Sequence, residues 1–219
     1  MGSLLSTNHW SAEGKHVLIT GASSGIGAEL GRHFAKQGAS LALLARNRDS
    51  LMIVAEECKT LGAPRVDVFS CDLTDDANIK KAITLAIENF GKFDVLILNA
   101  GRSMGCYFEE INDLESINYM LKININGVIN SLFYALPSVP KVSDSRIVVM
   151  SSVAGKTSSV SKLSIACILH FKVRSEVCIN FFCFIHFFII KESFRYRSEL
   201  FIVLPNTRSQ VSQTLYALN

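Results

Sequence analysis

The chain has 219 residues, of which 49% are hydrophobic, a length that suits one domain with a buried core rather than two. Lys and Arg number 22 against 19 Asp and Glu, and the net charge of +3 argues against nucleic acid or an acidic membrane as the main partner. The six cysteines contain no Cys-x-x-Cys pair and follow no secretory signal, so we expect no metal site, no disulfide framework and no secretion.

Up to residue 152, short apolar runs alternate with longer amphipathic stretches. The runs predict five strands, at 16–20, 40–45, 65–70, 94–99 and 146–151. The stretches predict five helices, at 25–37, 48–61, 75–90, 113–123 and 126–136. Strands and helices that alternate at this spacing imply right-handed crossovers and a parallel sheet covered on both faces. We therefore expect an α/β protein with a Rossmann-type doubly wound parallel sheet.

The composition changes after residue 159, because all 13 glycines precede that point and 8 of the 14 phenylalanines follow it. A chain that turns repeatedly between strands and helices needs glycine, so we expect the sheet to be truncated after its fifth strand. The longest apolar run, 177–190, is shorter than the roughly 20 residues that span a bilayer, and we expect no transmembrane helix. We interpret this run as a buried or aggregation-prone segment rather than an interfacial one.

A glycine-rich turn lies between the first predicted strand and the first predicted helix, and it begins with Thr20 and Gly21. Such a turn presents unpaired backbone N–H groups and the positive end of a helix dipole above the sheet, where they suit a pyrophosphate. We therefore expect a bound nucleotide, with contacts in this turn from Gly21, Ser23, Ser24, Gly25, Ile26 and Gly27.

This turn resembles the Thr-Gly-x-x-x-Gly-x-Gly turn of the short-chain dehydrogenase/reductase family, and four further marks follow in the family's order. They are Arg46 after the second strand, Asp72 and Leu73 after the third, Asn99, Ala100 and Gly101 after the fourth, and Asn124 with Ser152. The resemblance covers residues 14–159 and is nearest to the hydroxysteroid dehydrogenases and related membrane-associated reductases. It implies a nicotinamide dinucleotide cofactor.

The end of the second strand indicates which dinucleotide is bound. An acidic side chain there would bind the adenosine ribose hydroxyls of NAD(H), whereas Arg46 suits the 2′-phosphate of NADP(H). We therefore expect NADP(H) in preference to NAD(H). The alternative is that Arg46 is a solvated loop cation.

The resemblance also assigns the ends of the third and fourth strands. Asp72 and Leu73 would frame the adenine, and the plainer alternative is that Asp72 caps the following helix, a role that it could fill at the same time. Asn99, Ala100 and Gly101 would brace the sheet beside the nicotinamide ribose, where a glycine permits close approach of the backbone.

The resemblance places two catalytic residues in the chain and leaves two others without a match. Asn124 would interrupt a helix and hold a water of the proton relay, and Ser152 would place its hydroxyl on the substrate carbonyl. The family also needs a Tyr, with a Lys four residues later whose charge lowers the pKa of the phenol. Those positions hold Ile165 and Leu169, and no Tyr-x-x-x-Lys occurs in the sequence.

Two functions remain open. The first is an NADP(H)-dependent oxidoreductase that interconverts small carbonyl and alcohol compounds, with a steroid- or lipid-like substrate, of which this chain is an inactive or truncated form. The second is a catalytically silent dinucleotide-binding or interaction protein.

We expect an N-terminal extension at 1–13, a dinucleotide-binding domain at 14–159 and an unrelated tail at 160–219. The glycine-free tail suggests the hypothesis that it is a read-through of non-coding sequence or a gene-model error. The first six residues match an N-myristoylation pattern, and one acyl chain anchors a protein only weakly. We therefore expect a protein that is cytoplasmic or weakly associated with the surface of an intracellular membrane.

Overall fold

A single parallel sheet forms the centre of the chain in the computed structural model, which describes residues 10–102, 110–142, 144–150 and the backbone of 178–182. In the described residues the strands are β1 (His16–Thr20), β2 (Ser40–Ala45), β3 (Val66–Ser70), β4 (Val95–Leu98), β5 (Arg146–Met150) and β6 (Cys178–Phe182). Their order in the sheet is β3-β2-β1-β4-β5-β6, and every neighbouring pair is parallel.

Five α-helices connect the strands within the described part of the chain. They are α1 (Gly25–Lys36), α2 (Arg48–Thr60), α3 (Asp76–Phe90), α4 (Leu114–Leu121) and α5 (Gly127–Ala135). A π-helical turn, Lys122–Asn126, joins α4 to α5. Side-chain oxygens fix three of the helix starts, since Asn47, Asp75 and Asp113 each accept a hydrogen bond from a first-turn N–H group of α2, α3 and α4.

The sheet is buried on both faces, as a parallel sheet requires. Val17 and Ile19 of β1 belong to the apolar cluster that contains residues of α1 and α2, with Phe34 fully buried among them. Leu18, between them, belongs to the opposite cluster, which contains residues of α3 and α5 together with Phe93. Nearly every residue of β1 and β2 is therefore buried, because a layer of helices covers each face of the sheet.

The structure confirms the doubly wound parallel fold, and it corrects the expectation that the sheet ends at its fifth strand. β6 pairs in parallel with β5, with Arg146 aligned to Cys178 and Met150 to Phe182. An unpaired edge of β5 would expose a row of backbone donors and acceptors, and the β6 sequence consists largely of β-branched and aromatic residues that favour strands. The expectation was wrong because the lack of glycine in the tail does not prevent a short segment from forming an edge strand.

No helix in the described part of the chain combines the length and apolarity needed to cross a bilayer. Residues 1–9, the remainder of the 160–219 tail and Ser152 lie outside the described residues.

Replacing Asp75 with alanine tests the cap of α3. Its Oδ1 accepts bonds from the N–H groups of Ala77 at 2.9 Å and Asn78 at 3.3 Å, so Asp75→Ala should lower the free energy of unfolding by about 1 kcal/mol. Urea denaturation measures the change. Glu88→Ala, at an exposed position near the end of the same helix, is the control and should change it by less than about 0.5 kcal/mol. Equal losses in both variants would contradict the capping role.

Candidate functional site

A cleft of about 420 Å³ opens at the carboxyl ends of the strands. It lies where the strand order reverses, because β2 and β4 flank β1 on opposite sides, and crevices at such switch points are the usual ligand sites of open α/β sheets. The lining residues come from the ends of β1, β2, β3 and β4, from the first turn of α1 and from the π-helical turn.

Ten of the twelve residues predicted to contact a cofactor line this cleft. They are Gly21, Ser23, Ser24, Ile26, Arg46, Asp72, Leu73, Asn99, Ala100 and Gly101. The other two, Gly25 and Gly27, belong to the first turn of α1 but are not lining residues. The lining also includes Asn47, Cys71, Arg102 and Ile123, to which the sequence motifs assign no contact, and Thr20, which was predicted only as part of the glycine-rich turn.

Two glycines allow the first turn of α1 to lie against the strand ends. Gly21 has a φ of 68°, and a Cβ atom on it would lie 2.8 Å from the Cα atom of Ala100. A Cβ atom on Gly27 would lie 2.3 Å from the carbonyl oxygen of Gly21 and 2.6 Å from Nδ2 of Asn99. Neither contact is tolerable for a real side chain, so both positions require glycine for close approach.

Thr20 and Asn99 fasten the ends of β1 and β4 to each other. The Thr20 hydroxyl accepts hydrogen bonds from the N–H groups of Asn99 and Ala100, both at 3.1 Å. The Asn99 side chain returns the contact, since its Nδ2 donates to the carbonyls of Thr20 at 3.1 Å and Gly21 at 3.4 Å. The side chains of Thr20 and Asn99 therefore hold the two strand ends together by hydrogen bonding to backbone groups at the base of the cleft.

The N-terminus of α1 differs from those of α2, α3 and α4. Its N-cap residue, Ser24, makes no side-chain cap, and its first turn holds no acidic residue. By contrast, α2, α3 and α4 each have both a capping side chain and an acid in the first turn, whereas α5, which continues directly from the π-helical turn, has neither. Because Ser23 and Ser24 line the cleft, the positive end of α1 and its N–H groups are left for an anion.

The loop after β3 is braced internally. Oδ1 of Asp72 accepts from the backbone N–H and the hydroxyl of Thr74, at 2.9 and 2.8 Å, and its own N–H donates to Oδ1 of Asn78 at 2.8 Å. The alternative role of Asp72 as the helix cap is wrong, because Asp75 caps α3.

Burial, with the carboxylates of Asp72 and Asp75 nearby, raises the pKa of the Cys71 thiol to about 12. Cys71 therefore lines the cleft as a neutral thiol at pH 7 and is not a nucleophile.

Basic side chains dominate the charge of the cleft. Arg46, exposed after β2, donates from Nη1 to the hydroxyl of Tyr119 in α4. The guanidinium carbon of Arg102 lies 5.7 Å from the centroid of the same ring. Asp72 is the one acidic side chain among the described lining residues. The cleft therefore offers two guanidinium groups against one carboxylate.

Asn124 lies in the π-helical turn, which agrees with its predicted place at a helix interruption. Its Oδ1 accepts from the N–H of Arg102 at 2.8 Å, and its Nδ2 donates to the carbonyl of Arg102 at 2.7 Å. Both ends of the amide thus hold the chain that leaves β4. The predicted water of the proton relay stays a prediction, and the second predicted catalytic residue, Ser152, lies outside the described residues.

Comparison with known proteins gives consistent matches. A family model described as short chain dehydrogenase matches residues 15–164. The chain is 43% identical over 139 residues to the 11-beta-hydroxysteroid dehydrogenase-like 2 of Arabidopsis thaliana, covering 64% of this chain but only 45% of that relative. The chain thus spans less than half the length of this relative.

Two solved structures share the fold over about two thirds of this chain. An alcohol dehydrogenase from Thermococcus sibiricus complexed with 5-hydroxy-NADP is 31% identical with a TM-score of 0.61, covering 65% of this chain and 60% of its own. An NAD⁺-bound xylitol dehydrogenase is 25% identical with a TM-score of 0.61, covering 68% of this chain and 56% of its own.

Substitution of Gly27 tests the close approach of α1. A methyl group there meets the Gly21 carbonyl at 2.3 Å, so Gly27→Ala should lower the free energy of unfolding by about 1–3 kcal/mol. Gly31, one turn later in α1, is the matched control. Its added Cβ would lie 3.5 Å from Sγ of Cys58, an ordinary contact, so Gly31→Ala should be neutral or stabilising by up to about 1 kcal/mol. Chemical denaturation of both variants measures the difference, and equal stabilities would contradict the steric argument.

Proposed function

Because the chain belongs to the short-chain dehydrogenase family, we propose that its cleft binds NADP(H) and that these 219 residues are an inactive or truncated form of an oxidoreductase that interconverts carbonyl and alcohol groups. The observation that carries this proposal is the cradle formed by Gly21, Gly27 and Asn99, which admits no Cβ atom at either glycine and brings the uncapped start of α1 to the switch point of the sheet. A pyrophosphate is the group that such a helix start suits best.

The residues around the cradle fit the rest of a dinucleotide. We assign the adenine to Asp72 and Leu73, whose loop is fixed by Thr74, and the nicotinamide ribose to the backbone of Asn99, Ala100 and Gly101. The residue range 14–159 would form the binding domain, and 160–219 would be a tail of unrelated sequence that adds β6 to the edge of its sheet.

The preference for NADP(H) rests on Arg46. Similarity to solved structures supports either cofactor, since one of them is complexed with a 5-hydroxy-NADP and another is bound to NAD⁺. The chain places Ala45, Arg46 and Asn47 at the end of β2, with no carboxylate to accept from the ribose hydroxyls. An exposed guanidinium in the lining of the cleft suits a 2′-phosphate instead.

The substrate and the chemistry follow from the relatives and the remaining marks. The names of the relatives support a steroid- or lipid-like carbonyl or alcohol as substrate. When bound, the cofactor supplies or accepts a hydride. Of this chain's residues, Ser152 would donate a hydrogen bond to the substrate carbonyl, and Asn124 would hold the water that relays a proton. We place this chemistry in the cytoplasm or at the surface of an intracellular membrane.

A second candidate function is a catalytically silent dinucleotide-binding protein. It is favoured by the sequence at the two positions that should carry the proton-donating pair, which hold Ile165 and Leu169. An unperturbed phenol has a pKa of roughly 10 and needs an adjacent cation to act near neutral pH. Without such a pair these 219 residues would hold the cofactor and transfer no hydride at a useful rate.

Cofactor titration tests the binding proposal. The full chain should enhance NADPH fluorescence on binding, and Arg46→Ala should raise the Kd of NADPH by about tenfold to a hundredfold, because a charge-assisted pair with a phosphate is lost. The Kd of NADH should change by less than about threefold. Arg48→Ala is the control, because Arg48 begins α2 two residues later and does not line the cleft. An unchanged Kd of NADPH in Arg46→Ala would reject the assignment of the phosphate.

Turnover separates the two candidate functions. We expect the purified chain, given NADPH and a panel of ketones and aldehydes, to bind NADPH without oxidising it, because no tyrosine–lysine pair is present to supply the proton. Absorbance of NADPH over time measures the reaction. Steady, protein-dependent oxidation with formation of the alcohol would reject the silent candidate. Sequencing transcripts across codon 159 is the companion test, because a product that encodes Tyr-x-x-x-Lys after Ser152 should reduce the same panel.

A further inference from the structure

We propose that Tyr119 is a positioning residue that sets the selectivity of the cleft for a 2′-phosphorylated adenosine. It does so by holding two guanidinium groups, those of Arg46 and Arg102, on one side chain, so that both act on one phosphate. This inference rests on the proposed function, and it adds Tyr119 and Arg102 to the residues that the sequence motifs indicate.

Three separate elements bring these side chains together. Arg46 follows β2, Arg102 follows β4, and Tyr119 lies in the last turn of α4. Nη1 of Arg46 donates to the Tyr119 hydroxyl. The guanidinium carbon of Arg102 lies 5.7 Å from the centroid of the Tyr119 ring, which is within the roughly 6 Å range of a cation–π contact. One phenol therefore contacts both cations, one through its hydroxyl and one through its ring.

The hydrogen bond to Tyr119 orders the Arg46 side chain before any ligand arrives. Arg46 is exposed, and a long exposed side chain loses rotamer freedom when a ligand fixes it, which weakens binding. The bond to Tyr119 uses one donor of a group that has five, so the guanidinium keeps donors for an anion. The backbone of Arg46 is also held, since its carbonyl accepts a hydrogen bond from the Ser70 hydroxyl at 3.3 Å.

Arg102 is fixed by the same stretch of helix that carries Tyr119. The Asn124 amide holds both the N–H and the carbonyl of Arg102, at 2.8 and 2.7 Å. Asn124 lies in the π-helical turn that begins at Lys122, directly after α4. Ile123, in that turn, lines the cleft. Tyr119, the cleft wall and the anchor of Arg102 therefore belong to one continuous helical segment.

The charges of this arrangement call for an anion. Two guanidinium groups gathered on one neutral phenol repel each other, and the one carboxylate among the described lining residues, that of Asp72, is bonded through Oδ1 to Thr74. A phosphate monoester carries about −1.5 to −2 charges at pH 7 and accepts from several donors at once. Ribose hydroxyls are neutral and gain little from the same two cations. The cluster thus favours the phosphorylated adenosine.

Two small probes isolate this end of the cofactor. Adenosine 2′,5′-bisphosphate and adenosine 5′-monophosphate differ only in the 2′-phosphate, and calorimetric titration of the full chain gives a Kd for each. We expect Tyr119→Phe, which keeps the ring and removes the hydroxyl, to raise the Kd of the bisphosphate by about threefold to tenfold. The Kd of the monophosphate should stay within about twofold. Tyr119→Leu should add a further loss for the bisphosphate, because the ring contact to Arg102 is also removed.

Tyr134→Phe is the matched control. The Tyr134 hydroxyl donates to the Asp76 carboxylate at 2.8 Å, and Tyr134 does not line the cleft, so this variant also loses one tyrosine hydroxyl bond but should leave both Kd values unchanged. A double variant makes the coupling visible. If Tyr119 acts through Arg46, then Tyr119→Phe should weaken bisphosphate binding little further in an Arg46→Ala background.

The outcomes separate this inference from the function on which it rests. If the chain binds the bisphosphate selectively and Tyr119→Phe leaves the ratio of the two Kd values unchanged, the role of Tyr119 is rejected while NADP(H) binding stands. If Tyr119→Phe weakens both probes equally, Tyr119 supports the adenosine generally and the selectivity role is also rejected. If the wild-type chain binds neither probe nor NADPH, the proposed function fails, and this inference fails with it.

Discussion

The site depends on the contact between the first turn of α1 and the ends of β1 and β4. Those two strand ends are joined by the hydrogen bonds of Thr20 and Asn99. Gly27 approaches the Gly21 carbonyl so closely that no Cβ atom fits, and the Asn99 side chain lies in the same space. Because Asn99 and Thr20 bond the two strand ends to each other, the helix start cannot shift without breaking the junction between neighbouring strands. The uncapped N-terminus of α1 is thereby fixed at the end of β1, where the order of the strands in the sheet reverses.

The loops around this junction are ordered by bonds of their own. Asn47 caps α2 by accepting a hydrogen bond from the N–H of Ser50. In the same way, Asp72 accepts from the N–H of Thr74, and Asn124 accepts from the N–H of Arg102. In each case a short polar side chain satisfies backbone groups that a loop would otherwise leave to water. The charged side chains of the cleft therefore extend from backbones that are already held, which lowers the entropic cost of binding an anionic ligand.

Local signals predicted the elements well where periodicity and caps agreed. β1 and β2 match their predicted bounds because each is a short apolar run between polar residues, and α3 begins where Asp75 predicted it. The cleft was predictable as far as it is built from motifs at strand ends. Arg102 and Tyr119 were missed because their contacts join elements distant in sequence, with Arg46 and Tyr119 separated by 73 positions. β6 was missed for a related reason, since its place depends on an open edge of β5.

The residues that line the cleft and the positions of the family's proton-donating pair lie in different parts of the sequence. All the described residues that line the cleft lie between Thr20 and Ile123, whereas family resemblance places the proton-donating pair beyond β5. The described tyrosines do not supply a substitute. Tyr119 lies beside Arg46 at the end of β2, and the hydrogen bond from Tyr134 to Asp76 raises the pKa of that phenol, away from neutral pH. The start of α1, the Thr20–Asn99 hydrogen bonds and the Arg46, Arg102 and Tyr119 cluster therefore all precede the fifth strand in the sequence.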